Sequence, residues 1–149
     1  MSATVFVDTN VLLYCFDARD RVKRGGAQAW VAWCWQRQCG RISTQVLSEF
    51  YSNARKKFSS AISAGDARAE VRRYQHWQPW AIDHATVEAA WAIESRFNLH
   101  YWDALIVAAA RRQGCGHLLS EDLQHGQQLD GVEVVNPFKS TPQQIGLVP

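Results

Sequence analysis

At 149 residues, with 47% hydrophobic and 20% charged residues, the chain has the length and composition of one globular domain, not of a disordered segment. No apolar run reaches the roughly 18 residues that cross a bilayer, and the N-terminus lacks the basic and apolar regions of a signal peptide. A cytoplasmic location with no membrane partner is therefore expected. The net charge of +2 conceals an asymmetry: residues 19 to 73 carry 12 Lys or Arg against four carboxylates, a net of +8, while the rest carries four against 10, a net of −6. A stretch so biased suits a polyanionic partner, although for any single basic side chain a solvated helix face is the preferred account.

In chain order, residues 4 to 8 are mostly β-branched or aromatic and predict a buried, parallel strand. Ala27, Trp30, Val31 and Cys34 recur at helical spacing and predict a helix over "AQAWVAWCWQRQC". "GRIST" predicts a second short strand, with Ser43 or Thr44 as cap of a helix whose apolar face is Val46, Leu47, Phe50, Tyr51 and Ala54. Asp66 opens "DARAEVRRYQHW", which Pro79 ends, and the extended "WAID" leads to "HATVEAAWAIESRFN", capped by Asp83 and stopped at Asn98. The segment from about Trp102 to Gln113 is apolar nearly all round and predicts a central, buried helix. "HLLS" and "VEVVN" predict further strands separated by the loop "EDLQHGQQLDG", and an irregular tail covers residues 139–149. Cys15, Cys34, Cys39 and Cys115 form no C-x-x-C pair and read as reduced structural thiols. Short buried strands alternating with helices predict an α/β fold, a parallel sheet between helical layers, with its ligand site beyond the carboxyl ends of the strands.

Four carboxylates fall where such a site would lie. Asp8 follows the first strand, Glu49 sits early in a helix that follows a strand, Asp103 begins the buried helix and Asp122 comes just after "HLLS". Each has a plainer role available: a local turn with Asn10 for Asp8, a solvent-facing position for Glu49, helix caps for Asp103 and Asp122. Their coincidence at strand ends points instead to one all-oxygen set for a hard cation, Mg²⁺ or Mn²⁺, as used in phosphoryl chemistry. The five histidines show no H-E-x-x-H spacing, and His100 has only its place three residues before Asp103 to link it to the site. Neither a G-x-S-x-G elbow nor a G-x-x-x-x-G-K-[ST] loop is present. A phosphatase that forms an aspartyl-phosphate is disfavoured because Asn10 stands where a second Asp is wanted.

"VFVDTNVLLY", "LSEF", "YWDALIVAAA" and "LLSEDLQHG", in that order, closely resemble PIN-domain ribonucleases, specifically the VapC-like toxins of type II toxin–antitoxin pairs. The likeness runs to about Phe138, so residues 1–138 are expected to form a single PIN-like domain, a three-layer α/β/α sandwich with a central parallel sheet. The resemblance implies that Asp8, Glu49, Asp103 and Asp122 bind Mg²⁺ or Mn²⁺, with Asn10 and Ser120 as polar helpers and Glu121 as an extra carboxylate at the Asp122 corner. It further implies endonucleolytic hydrolysis of structured RNA (tRNA or rRNA) by a metal-activated water, leaving a 5′-phosphate, together with a homodimer and a cognate antitoxin that covers the acidic site. Arg55, Lys56, Lys57, Arg72 and Arg73 are candidate contacts to the RNA backbone. "WVAWCW" and "HWQPW" are open to base stacking, to antitoxin binding or to core packing, the last expected for about four or five of the seven tryptophans. A PIN-fold protein that binds RNA or a partner without cutting is the alternative reading.

Overall fold

Val5, Phe6 and Val7 have no exposed surface and form β1 (Val5–Val7), the strand on which the rest is assembled. The computed structural model describes residues 4–147. β1 pairs in parallel with β2 (Gly40–Arg41) on one side and β3 (His117–Leu119) on the other, with Val5 in register with both Gly40 and His117. β3 continues in parallel to β5 (Val132–Val135), and β4 (Gln128–Leu129) closes the edge, for an order of β2-β1-β3-β5-β4. Because its successors in sequence flank it, β1 ends where strand order reverses, the place where crevices for ligands open in such sheets.

The central sheet is parallel as expected, but β4 is antiparallel to β5 and falls inside the stretch assigned to a loop. Asp130 and Gly131 join the two strands with φ of +58° and +93°, the backbone of a two-residue type I′ hairpin, for which Asp-Gly is a favoured pair.

Six α-helices complete the fold among the described residues. α1 (Thr9–Tyr14) is a short helix that the sequence reading passed over, and Asp8 is its N-cap, accepting a 2.7 Å bond from Thr9 N. α2 (Arg21–Arg37) starts a turn and a half before the expected Ala27, because the Asp20 side chain caps it by accepting from Lys23 N. Its first turns carry no buried apolar residue and contain Gly25 and Gly26, so the periodicity that betrays a helix begins only further on. α3 (Thr44–Lys57) is capped by Ser43, buries Val46, Leu47, Phe50 and Ala54, and places Arg55, Lys56 and Lys57 in its last turn, where the helix dipole favours cations.

α4 (Ala64–Arg73) is capped by Ser63, not opened by Asp66, which lies in its first turn; it gives way to a 3₁₀ turn at Tyr74–Trp77 before Pro79. α5 (His84–Phe97) has the Asp83 cap and the left-handed Asn98 that its sequence announces. α6 (Tyr101–Arg112) buries every residue from Ala104 to Ala110. Its small side chains allow close packing against α5, β3 and β5. No helix among the described residues is long and apolar enough to cross a membrane.

Five tryptophans (Trp30, Trp33, Trp35, Trp77 and Trp80) are buried or half-buried, which places both aromatic-rich stretches largely in the core. All four cysteines are unpaired, and only Cys15 is not fully buried. Beyond Phe138 the chain forms turns that pack back on the core: Trp30 Nε1 donates to Ser140 O at 2.9 Å and Leu147 is buried. Residues 1–3 of the expected domain and 148–149 of the expected tail lie outside the described residues.

At the far end of the sheet from Asp8, Gly40 leaves room for an indole. A Cβ built there would lie 2.5 Å from Trp77 ring carbons, and Trp77 is itself held against Trp35 and Tyr74 at ring distances of 5.0 and 4.8 Å. Gly40→Ala should therefore destabilise the protein by about 1–3 kcal/mol through overpacking. A urea midpoint equal to that of the parent would show that the ring can move aside.

Candidate active site

The backbone of β1 runs directly into the site. Asp8 N bonds Leu119 O at 3.0 Å, so the last residue of β3 fixes the first residue past β1. Beyond these two strand ends stand Asp8 and Ser120, both buried. Ser120 donates its hydroxyl to Asp8 Oδ2 at 2.8 Å and accepts from Asp122 N at 3.2 Å, tying the turn after β3 to the carboxylate after β1. Asn10 spans the same gap. Its amide nitrogen lies 3.2 Å from Asp8 Oδ2 and 3.1 Å from Asp122 Oδ2, while its Oδ1 accepts from Glu121 N. An aspartate at this position could not donate to two carboxylates, which is a physical reason for the amide here.

The remaining two carboxylates arrive from helices. Glu49, in the second turn of α3, accepts from Thr9 Oγ1 at 2.7 Å and from Gln45 Nε2 at 3.1 Å. Gln45 also donates to Trp102 O, joining α3 to the first turn of α6. Asp103 sits in that first turn but does not cap the helix, since His100 holds the N-cap position. Asp122 likewise caps nothing, because no helix follows it. Asp8, Glu49, Asp103 and Asp122 thus line one cleft of about 330 Å³, together with Thr9, Asn10, Asn53, Lys57 and Trp102.

Thr9 and Gln45, which orient Glu49, were not singled out in the sequence as site residues. Thr9 lies within the strand-end motif itself, and Gln45 lies one helical turn before Glu49, the spacing at which helix side chains meet. Asn53, one helical turn after Glu49, donates to the Glu49 backbone carbonyl at 2.9 Å and not to its carboxylate. Glu121 turns away from the cleft. It forms an ion pair with Lys23 and accepts from Tyr14 OH at 2.6 Å. Burial would raise its pKa, but these two partners outweigh that and hold it low. Asp122 is therefore the side chain of that pair that faces the acidic cleft.

The electrostatics are those of a site short of positive charge. Burial above all, with Asp122 and Glu49 adding repulsion, pushes the Asp8 carboxyl up to about 7 despite the bonds from Ser120 and Thr9. The Asp103 carboxyl is raised by burial first and then by Asp122, against an opposing pull from His100 that exceeds the lesser repulsion from Glu49. Among the described residues no group of three or more His, Cys, Asp or Glu side chains is arranged as it stands to hold a metal ion. The donors are nonetheless all carboxylate oxygens, the set that hard divalent cations take while keeping several waters, so the residues fit Mg²⁺ or Mn²⁺.

The five expected basic contacts divide. Lys57 reaches the acidic cleft, and Arg55 and Lys56 are exposed beside it on α3. Arg72 lines a roomier groove of about 550 Å³ between α3 and α4, away from the carboxylates. Arg73 is engaged within the fold: it pairs with Glu70 at 2.9 Å and stacks over the Trp35 ring at 4.4 Å.

A mostly parallel α/β sheet with an acidic cleft at its topological switch point defines a class of fold with metal-type carboxylate sites. The model of the PIN domain family matches residues 5–128, and the chain belongs to that family. Among solved structures, it is similar to a toxin–antitoxin complex from Klebsiella pneumoniae, with a TM-score of 0.63, 20% identity, and coverage of 90% of this chain and 98% of that one. It is also similar to Mycobacterium tuberculosis VapC20, a toxin that cleaves the sarcin–ricin loop, with a TM-score of 0.57, 18% identity, and coverage of 77% and 87%. A third similar structure, VapBC2 from Rickettsia felis bound to a promoter DNA fragment, has a TM-score of 0.57 at 9% identity and coverage of 88% and 96%. These likenesses show a shared fold. No curated relative matches the sequence.

The raised Asp8 pKa has a consequence for stability. A carboxyl whose folded pKa lies near 7, against 3.8 when unfolded, binds more protons in the folded state between those values. Stability of the metal-free protein therefore falls as pH rises through that window, by roughly 3–5 kcal/mol for this group. Asp8→Asn, which keeps the cap and removes the charge, should raise the metal-free melting temperature at pH 8 by roughly 6–20 °C and leave it unchanged at pH 4. Equal melting temperatures at pH 8 would show that the buried charge is already offset by its hydrogen bonds.

Proposed function

We propose that this protein is the toxin of a type II toxin–antitoxin pair and acts as a metal-dependent endoribonuclease on structured RNA, tRNA or rRNA. The observation that carries this reading is that Asp8, Glu49, Asp103 and Asp122, from four separate segments, line one cleft in which the desolvated Asp8 carboxylate forms no ion pair among the described residues. Asp8, Glu49, Asp103 and Asp122 would hold Mg²⁺ or Mn²⁺, with Asn10 and Ser120 orienting Asp8 and Asp122, and Thr9 and Gln45 orienting Glu49. A divalent cation held there supplies polarisation of the phosphodiester and activation of water for its hydrolysis.

The carboxylates alone would repel RNA, so approach depends on the basic residues at their margin. Lys57 shares the cleft, and Lys56 and Arg55 extend the positive charge along α3. Contacts of this kind position the backbone and supply affinity without reading sequence. The fold likeness to VapC20, which cleaves the sarcin–ricin loop, and to two toxin–antitoxin complexes supports an RNA substrate and a cognate antitoxin. The homodimer that the family resemblance implies belongs to the same proposal.

Purified protein, freed of any partner, should cut total bacterial RNA into discrete fragments in Mg²⁺ or Mn²⁺ and leave it intact in EDTA. Asp103→Asn should abolish cleavage at least 100-fold while leaving the circular-dichroism spectrum unchanged, since Asp103 does not cap α6. Intact RNA in every metal would favour a non-cutting PIN-fold binder and overturn the enzymatic reading. The double variant Lys56→Glu/Lys57→Glu should weaken RNA binding and lower the slope of log affinity against log salt by roughly 0.7–0.9 per lost phosphate contact. An unchanged slope would return both lysines to the status of a solvated helix end.

A further inference from the structure

The sequence carries seven tryptophans, and the structure separates them sharply. Five are buried or half-buried in the core, including all those in the two aromatic-rich stretches. Trp91 and Trp102 are the two with large exposure, 47% and 54%. Trp91 stands on α5 beside His84, a partner at the same helix's start. Trp102 stands at the rim of the acidic cleft, one residue before Asp103. Its carbonyl accepts from Gln45, the residue that also orients Glu49, and its ring meets Tyr101 edge-on at a centroid distance of 5.0 Å. The backbone beneath the ring is thus anchored to the same bonds that position a carboxylate, while half of the residue faces water.

We propose that Trp102 stacks on an unpaired nucleobase next to the scissile phosphate, which makes it a specificity-determining residue that selects single-stranded nucleotides within the RNA. The inference rests on the endoribonuclease reading above. A large apolar ring exposed at the edge of a charged cleft is poorly placed for packing but well placed for a π-face, and every base presents one. Lys57, lining the same cleft, is a phosphate contact within reach of the same nucleotide segment. A base inside a duplex is already stacked on both faces, so the ring discriminates by requiring a base that is free to splay out. Trp102 touches substrate through its ring alone, whereas its backbone carbonyl serves Gln45, and so side-chain substitutions leave the carboxylate scaffold in place.

The test uses wild type, Trp102→Ala and Trp102→Phe, each first shown to have the same melting temperature. Binding is read in EDTA, where cleavage is blocked, by anisotropy of a fluorescein-labelled single-stranded 12-mer oligouridylate and of a blunt-ended RNA duplex of 12 base pairs. Tryptophan fluorescence is recorded in the same titrations. Trp102→Ala should weaken single-strand binding about 5- to 100-fold, the range that stacking one base on one ring supplies. Duplex binding should not change, Trp102→Phe should recover most of the loss, and the single strand should quench the fluorescence of wild type but not of Trp102→Ala.

Cleavage of total bacterial RNA in Mg²⁺ by the same three proteins separates this inference from the reading beneath it. Cleavage by wild type with equal cleavage and binding by Trp102→Ala overturns the stacking role and leaves the ribonuclease standing. Trp102-dependent single-strand binding without cleavage by wild type supports the stacking role and removes the enzymatic reading. Loss of binding to a co-purified partner protein, with RNA binding unchanged, assigns the ring to a protein interface and overturns the proposal.

Discussion

A carboxylate sealed behind two strand ends organises this molecule. Asp8 lies at the end of a strand with no exposed surface, receives the Leu119 backbone carbonyl on its own N–H, and keeps only 5% of its surface in contact with water. Transferring an ionised carboxylate into such surroundings is costly unless it is hydrogen-bonded and matched by positive charge. The first condition is met by Thr9 N, Ser120 Oγ and the Asn10 amide. The second is not met: Lys57 lines the same cleft but forms no ion pair with Asp8, while Asp122 and Glu49 add like charge. The fold therefore carries a local destabilisation at its centre, the usual mark of a site in which stability has been given up for function.

Much of the neighbouring structure is an arrangement for holding that charge in place. β1 and β3 are adjacent because the sheet order reverses at β1, and this puts Asp8 and Ser120 side by side although 112 residues separate them. Asn10 then bridges the two strand ends with one amide, donating to both carboxylates and accepting from the Glu121 N–H. Glu121 is drawn off by Lys23 and Tyr14, so its side chain does not add a fifth negative charge to the cleft. α3 and α6 approach from the helical layers and are joined at their near ends by Gln45. One glutamine thereby couples the orientation of Glu49 to the position of the turn that bears Trp102 and Asp103.

The readability of individual elements followed the physics of each signal. The Asp83 cap and the Asn98 stop of α5 were legible because both act within a few residues of chain. The start of α2 was not, since its first turns are exposed and carry two glycines, leaving the Asp20 cap as the sole cue. The Asp-Gly pair at 130–131 was a local hairpin signal of the strongest kind, and the hairpin it makes was passed over because its outer strand is two residues long. α1 was hidden for a similar reason: six residues are too few to display a helical period. Asp66 does not open α4 as expected, and the plainer cap roles open to Asp103 and Asp122 are not taken up, because a carboxylate near a helix start serves the dipole or a site as readily as the N-cap position.

The order of the strand-end motifs by itself determined the fold class, the parallel core of the sheet, the rim on which a site would lie and the four carboxylates that lie on it. These are carried by short-range patterns: β-branched runs, helical periods and polar residues just past strands. Tertiary structure alone decided which side chains face each other. It turned Asp122 inward and Glu121 outward, recruited Thr9 and Gln45 to Glu49, committed Arg73 to Glu70 and Trp35, and left Trp102 as the exposed indole beside the carboxylates. The reason is that residue type and spacing specify which groups are available, whereas burial and partner choice depend on segments tens of residues apart that meet only once the sheet order is set.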